Sequence, residues 1–479
     1  MSATELISDP DQAGRPGPPA GVSPAADVPA PTAANRWGVL RHAHYRTIWF
    51  ASFGSYMGGW FEFVGTQWIV AEKTGSTMWM SWIGAAQLFP SLFLGLIGGV
   101  VADRVNRKKL LIVTQVAMML IAIGFALVVY FDRADPWVLL VLSLAQGIAI
   151  AFNAPAWQVL TPRLVPREEM VAAITLQGIS FNVARAIGPA LGGVIMGASG
   201  ATALFVINAI SFIGVMLAVL RTPDAPAPVS NAKGLWAMEK VWSDTLIALR
   251  FVFLSPGPRA AFLASVVFGL LATPVLRFLP LFVKDVYGLQ EKTFGLMTGV
   301  MGVGAVVGGL LLRKVPAWYP KHHLIPLSVS MGGLWILLFA LEDNATIAAA
   351  FMFFVGVFWM WSFNLSMAAM QLLVEDSMRG RVMSVLNTAA LGLMPLGSFL
   401  ASAAGDAGSA IVRSAAPTFW TPGLSAQIGI CFVAGLLLAA GLVMLIWRTP
   451  EVDGLKPGDP GYDRKPGLWR GISADTHRP

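Results

Sequence analysis

The sequence predicts an all-α membrane protein: twelve transmembrane helices, arranged as two parallel repeats of six. Three observations lead there. Of 479 residues, 56% are hydrophobic and 12% are charged, whereas a soluble protein carries roughly 25% charge. The apolar residues gather into twelve runs, most of them near the ~20 residues that cross ~30 Å of hydrocarbon. Two dipeptides also recur at similar spacing: Gly98-Gly99 returns as Gly308-Gly309, 210 residues on, and Phe152-Asn153 returns as Phe363-Asn364, 211 residues on. Six spans per unit bring both units into the membrane from the same side, which makes the repeat parallel.

The spans follow in order. Span 1, near 47–71, carries Ser52, Ser55, Gly59, Glu62 and Thr66 on one helical stripe. Span 2, near 78–102, has no charge from Met78 to Val101, and span 3, near 110–131, has none from Leu110 to Phe131. The charged residues between them therefore form a tight hairpin at one membrane surface. Span 4, near 137–159, aligns Gln146, Asn153 and Trp157. Span 5, near 170–197, holds Arg185, and its Gly188, Pro189, Gly192 and Gly193 predict a bend and close helix packing. Span 6 lies near 201–220, and span 7, near 260–283, holds Arg277. Span 8, near 293–312, has Gly302, Gly304, Gly308 and Gly309. These glycines sit inside an apolar run rather than after a soluble strand, so they read as a packing surface and not as a nucleotide fingerprint. Spans 9 to 12 lie near 324–341, 346–372, 381–403 and 424–447, and span 10 aligns Trp361, Asn364 and Gln371.

These spans divide the chain into a disordered tail (1–40), a six-helix bundle (41–221), a linker (222–258), a second six-helix bundle (259–448) and a second tail (449–479). The first tail is rich in Pro, Ala and Gly and lacks the basic start and apolar run of a signal peptide. In the linker, Leu235, Met238, Val241, Trp242, Thr245, Leu249 and Val252 recur at helical spacing. This predicts an amphipathic helix along the membrane surface.

The net charge of +7 does not indicate nucleic acid, because of where the basic residues fall. Of 33 Lys and Arg, 26 lie on the side of the 103–109 hairpin, five on the other side, and two within spans. By the positive-inside rule, that hairpin and both termini are cytoplasmic. The lone Cys431 allows no intramolecular disulfide. The five histidines lie outside the spans without nearby Cys or an acidic cluster, so no metal site and no cofactor are expected.

The hairpin reads Gly99-Val100-Val101-Ala102-Asp103-Arg104-Val105-Asn106-Arg107-Lys108-Lys109-Leu110-Leu111. It resembles the loop between the second and third helices of the major facilitator superfamily, whose pattern is Gly-x-Leu-Ala-Asp-Arg-x-Gly-Arg-Lys-x-x-Leu. Val101 and Asn106 depart from it, and Asn tolerates a left-handed turn next best to Gly. The resemblance extends from about Arg41 to Arg448, toward the transmembrane secretion effector branch with its enterobactin-exporter-like and macrolide-efflux-like members. It rests on Gly59-Trp60, Gln67-Trp68, Gln87-Leu88-Phe89-Pro90, Asn153-Ala154-Pro155-Ala156, the stretch from Asn182 to Pro189, Leu279-Pro280 and Tyr287-Gly288-Leu289. The resemblance implies that spans 1, 4, 7 and 10 surround a central cavity. It also implies a conformational-switch role for Gly99, Asp103, Arg104, Arg107 and Lys108, with Asp103 tying the hairpin to helix ends near Arg163, Arg379 or Arg381. A Gly-Pro-x-x-Gly-Gly segment in span 5 is typical of exporters in that superfamily. The proton-relay arginine of many proton-coupled exporters is replaced by Ser143, ahead of Gln146-Gly147.

Three charged residues lie deep in spans: Glu62 and Arg185 at ~22 Å and Arg277 at ~26 Å, counting ~1.5 Å per residue. Each costs about 2.5 kcal/mol or more at mid-membrane and needs a partner or water. Two readings are open. Either Glu62 and Arg185 form a structural ion pair, or Glu62 carries the coupling proton while Arg185 and Arg277, with Asn153, Asn364, Trp361 and Gln146, line a substrate cavity. The expected function is export of an amphipathic small organic molecule (siderophore-like, drug or metabolite) by alternating access and proton antiport. The expected setting is a bacterial inner membrane, with the lipid bilayer, the substrate and a proton gradient as partners, no nucleic acid, and a monomer. An importer on the same fold, or a membrane sensor or scaffold that does not transport, is the alternative. No nucleotide-binding loop is present, and no enzyme activity is expected.

The orientation has a direct check. Single cysteines in the 103–109 hairpin or at residue 322 are expected to react with an impermeant thiol reagent only from the cytoplasm. Those at residues 133 or 343 should react only from outside. Labelling of both groups from one side would refute the span count.

Overall fold

The computed structural model describes residues 37–160, 164–222, 235–315, 319–447, 449–453 and 455. The side chains of several residues within helices, among them Asp103, Arg104 and most of 235–242, lie outside the description. Fourteen α-helices follow one another: α1 (Ala43–Thr74), α2 (Thr77–Arg104), α3 (Arg107–Tyr130), α4 (Pro136–Leu160), α5 (Met170–Ser199), α6 (Ala201–Leu220), α7 (Leu235–Leu254), α8 (Pro256–Leu281), α9 (Glu291–Leu312), α10 (Lys321–Leu341), α11 (Ala345–Leu373), α12 (Asp376–Gly392), α13 (Met394–Ala415) and α14 (Leu424–Ile446). No strand occurs among the described residues. A helix closes its backbone hydrogen bonds within itself, which is what a lipid-embedded segment requires.

Among the described residues, ten helical segments are long and apolar enough to cross a membrane. They are α3 to α6, α8 to α11, the joined α12–α13, and α14. The helices on the first two predicted runs, α1 with 32 residues and α2 with 28, are not among the ten. In α1 the apolar character is diluted by Glu62, Gln67, four glycines and two charges near its end.

One difference from the sequence reading concerns helix ends. Span 11 was expected at 381–403. Instead α12 and α13 abut at Leu393, where Pro395 at the start of α13 can donate no backbone hydrogen bond, and α13 runs on to Ala415. It continues past Asp406 because that carboxylate accepts a hydrogen bond from Ser425 on α14 (2.6 Å), while Gly405 and Gly408 lie against α14. Pro189 lies inside a continuous α5.

The six main pairings among α1–α6 have counterparts among α8–α14. The pairs α1·α5, α1·α6, α2·α4, α3·α4, α3·α6 and α5·α6 are matched by α8·α13, α8·α14, α9·α11, α10·α11, α10·α14 and α13·α14. Gly98 of α2 lies against Ala151 of α4, and its sequence counterpart Gly308 of α9 lies against Val357 of α11. The two groups meet along α5·α9 and α2·α13. The amphipathic stretch of the linker is the helix α7, which buries Ala248 and Val252 and packs on α12 and α8. Residues 223–234 lie outside the described residues.

Short ordered segments extend each group beyond the expected domain bounds. Trp37–Arg41 forms a 3-10 turn whose Val39 is buried against Tyr45, Val165 and Leu176, while Arg41 and His42 both hold Glu169. Pro450–Asp453 forms another, and Asp453 accepts from the backbone N–H groups of Lys321 (2.7 Å) and His322 (3.1 Å) and bonds the His322 ring. This caps the N-terminus of α10, where orphan N–H groups need an acceptor. Burial pushes the Asp453 carboxyl up, but His322 and the two N–H groups outweigh it and hold it below the ordinary range. Residues 1–36 and 456–479, the bulk of both expected tails, lie outside the described residues.

Candidate transport site

The sequence supplies Glu62 in the middle of α1, and the structure buries it to 5% exposure. Its carboxylate accepts hydrogen bonds from the side-chain amides of Asn208 on α6 (2.5 Å) and Gln146 on α4 (3.4 Å). Asn208 reaches it because Gly58, one turn earlier on α1, leaves room. A Cβ there would stand 2.7 Å from Ser211 Oγ and would also meet the Asn208 side chain. Beyond Glu62 along α1 and beyond Gln146 along α4 lie Thr66 and Ser143, both buried with hydroxyls that have no partner in this structure. Buried polar atoms of this kind commonly hold internal water.

Of the two readings left open, the Glu62–Arg185 ion pair does not form in this structure. Glu62 points to α4 and α6, whereas the Arg185 guanidinium lies over the Trp359 ring of α11, 5.7 Å from its centroid. Equal depth on two helices does not fix the direction each side chain takes around its helix axis. Arg185 instead lines a small cavity with Trp60, Leu276, Thr298, Met301 and Gly302, between the two helix groups.

Arg277 crosses the same boundary in the opposite sense. It extends from α8 to donate to Gln87 Oε1 on α2 (3.2 Å), and its guanidinium lies 6.0 Å from the Phe63 ring centroid on α1. Gly84 makes the space: a Cβ there would stand 2.7 Å from Arg277 Nε. Arg277 is 6% exposed.

The remaining candidates are distributed. Asn153 donates to Thr114 Oγ1 on α3 (2.8 Å), and the Trp361 indole donates to the Gly308 carbonyl on α9 (2.8 Å). Both are therefore engaged in helix packing rather than presented to a cavity. Asn364 is exposed and bonds back to Met360 on its own helix. The span 5 motif serves two neighbours: Gly188 and Gly192 lie against Trp60 and Phe61 of α1, while Pro189 and Gly193 lie against Gly295 of α9. In the hairpin, Arg107 is buried at 3% exposure and Lys108 donates to the Thr222 carbonyl (2.8 Å). The side chains of Asp103 and Arg104, and the surroundings of Gly99, lie outside the described residues.

Among the described residues, several joins between the two groups lie toward the end opposite the hairpin. Gly193 and Gly295 meet backbone to backbone. Ser81 and Ser402 share a hydrogen bond of 2.8 Å, and Thr77 donates to Asp406 at 3.4 Å. Lys284 donates to the Ala71 and Glu72 carbonyls at the end of α1 (3.3 and 3.4 Å), where a cation complements the helix dipole. Toward the hairpin end, Asn182, Asn364 and Gln371 are exposed.

Asn208, Gln87, Gly84 and Trp359 were not singled out as site residues from sequence. Asn208 had a visible signal, as the one amide in span 6. Gln87 stood in a quoted motif without an assigned role, and Trp359 had no signal.

Residues 34–454 match the family model described as transmembrane secretion effector, and the chain belongs to that family of the major facilitator superfamily. It is 25% identical to the staphyloferrin A transporter of Staphylococcus aureus, over 74% of this chain and 88% of that one. It is 23% identical to macrolide efflux protein A of Streptococcus pyogenes, over 70% and 83% of the two chains. It is 24% identical to the multidrug efflux pump Tap of Mycobacterium tuberculosis, over 75% and 86%. Among solved structures, a bacterial homolog of the human lysosomal transporter Spinster superposes with a TM-score of 0.63 at 16% identity, covering 86% of this chain and 96% of that one. The nucleoside transporter NupG does so with 0.62 at 13%, covering 84% and 98%. The protein is thus a multi-pass membrane transporter of the major facilitator type, not an enzyme.

The Glu62 site yields a stability test. Gly58→Leu should push Asn208 and Ser211 aside and destabilise the protein by about 1–3 kcal/mol, the usual cost of overpacking. Gly54→Leu, one turn earlier in open space, should leave the melting temperature in lipid nanodiscs unchanged. Equal effects of the two changes would refute the packing role of Gly58.

Proposed function

We propose that this protein is a twelve-helix exporter of two parallel six-helix repeats, and that it moves an amphipathic small organic molecule out of a bacterial cell in exchange for protons. The matched helix pairings in the two groups support the repeat. The α1 and α2 helices, long enough to span, bring the ten apolar segments to twelve. The 26-to-5 distribution of basic residues supports cytoplasmic termini. In that orientation the end at which these joins lie is external. The names of two relatives, macrolide efflux protein A and the multidrug efflux pump Tap, support outward movement.

The observation that carries proton exchange is the setting of Glu62. A buried carboxylate held only by neutral amides has no fixed positive charge to keep it ionised, so it can take up and release a proton as its hydration changes. Asn208 and Gln146 can serve either form, since an amide offers both donor and acceptor. The Asp103 hairpin acts as the cytoplasmic latch between the halves, as the resemblance implies. A sensor or scaffold would have no use for three charges of this cost, which favours the transporter reading.

Glu62→Gln tests the coupling in inverted membrane vesicles. The amide mimics the protonated carboxyl, so the variant should fold and still exchange substrate passively. Accumulation driven by a pH gradient should be lost, since the amide cannot take up and release the coupling proton. Full gradient-driven accumulation by the variant would eliminate Glu62 as the coupling group.

A further inference from the structure

The two buried arginines are left over from the coupling site. Neither contributes to the Glu62 cage, and among the described residues neither is paired with an Asp or Glu. Arg277 has one side-chain acceptor, Gln87, and Arg185 rests on an aromatic face. A guanidinium carries five donors and matches a carboxylate bidentately. A positive charge placed inside a membrane protein without a counter-charge is costly and is found where an ion or substrate passes.

Their placement is reciprocal. Arg185 belongs to the first helix group and lies on Trp359 of the second, while Arg277 belongs to the second and lies on Phe63, Gly84 and Gln87 of the first. The cavity that Arg185 lines is bordered by Trp60, whose ring packs edge-on against Phe63 at 5.6 Å, and by Leu276, the neighbour of Arg277 in sequence. The site therefore combines aromatic walls with unneutralised positive charge at the boundary that must open and close during transport. Arg185, only partly buried, is the group free to meet a ligand, while Arg277, held by Gln87, supplies a fixed positive field nearby.

We propose that the transported molecule is an organic anion, an apolar or aromatic body bearing a carboxylate, whose carboxylate is received by Arg185 at the boundary between α1, α5, α8 and α9, where the cavity, about 20 Å³ in this structure, widens as the two groups part. Arg277 acts as a positioning residue that raises the positive potential there. This rests on the transporter reading and narrows its substrate class. Because the anion bridges residues of both groups, its arrival supplies the missing counter-charge and biases the two groups toward closing around it.

Three dyes with one body and different heads test this: pyrenebutanoate, pyrenebutanamide and pyrenebutylamine. Binding is read as energy transfer from tryptophan in purified protein, and transport as dye flux in inverted vesicles. The carboxylate should bind at least about tenfold more tightly than the amide, the effect of one charge-assisted pair. That preference should vanish in Arg185→Gln, persist in part in Arg185→Lys, and weaken in Arg277→Gln. The wild-type comparison stands even where a variant fails to fold. Equal affinity for the three heads, or preference for the amine, would overturn the proposal, and flux of all three alike would leave the exporter reading intact. A carboxylate preference lost with Arg185, without flux of any dye, would uphold the anion site and overturn the exporter reading.

Discussion

A charge inside hydrocarbon must find its partner within the protein, and this constraint organises the centre of the molecule. The chain places three such charges at mid-depth and settles each differently. Glu62 is enclosed by two amides within one helix group. Arg277 crosses into the other group to one amide oxygen and a ring face. Arg185 crosses the opposite way and stops at an aromatic ring beside a cavity. The first solution is self-contained, and the other two tie the halves together while leaving positive charge unmatched.

Close approach of helices is what makes those solutions reachable, and glycine permits it at specific positions. Gly58 lets α6 bring Asn208 to Glu62, and Gly84 admits the Arg277 guanidinium. Gly193 and Gly295 let α5 and α9 meet at the backbone, which sets how near Arg185 comes to the second group. In a bilayer, where apolar surfaces gain little by meeting each other, such packing and interhelical hydrogen bonds carry the association of helices. The contacts that join the far end combine polar pairs, a serine pair, a threonine on Asp406 and a lysine on two carbonyls, with the aromatic pairs Trp68–Phe294 and Trp82–Phe399.

Much of the architecture was legible because hydropathy is a local property. The runs near 110–131, 201–220 and 424–447 fall on α3, α6 and α14 within a few residues. The glycines of spans 5 and 8 were legible as packing surfaces, since small residues at helical spacing have few other uses in a membrane. The site was less legible because sequence gives depth along a helix but not the direction around it. Glu62 and Arg185 matched in depth, yet α1 turns one toward α4 and α6 and α5 turns the other toward α11. Asn153 and Trp361 shared stripes with cavity candidates, but each found a partner on an adjoining helix first. The ends of span 11 and the docked segments at 37–41 and 450–453 depended on tertiary contacts such as Ser425 on Asp406 and Val39 under Tyr45, which no local pattern records.

The central claim is that Glu62 sits in a cage of neutral amides and not in an ion pair. Difference infrared spectroscopy across a pH step reads it directly, through the carbonyl stretch of a buried protonated carboxyl. The account predicts one such band that disappears in Glu62→Gln, shifts in Asn208→Ala when a hydrogen bond is lost, and stays in place in Arg185→Gln. A band untouched by Glu62→Gln, or one displaced by Arg185→Gln as a salt-bridged carboxylate would be, would contradict it.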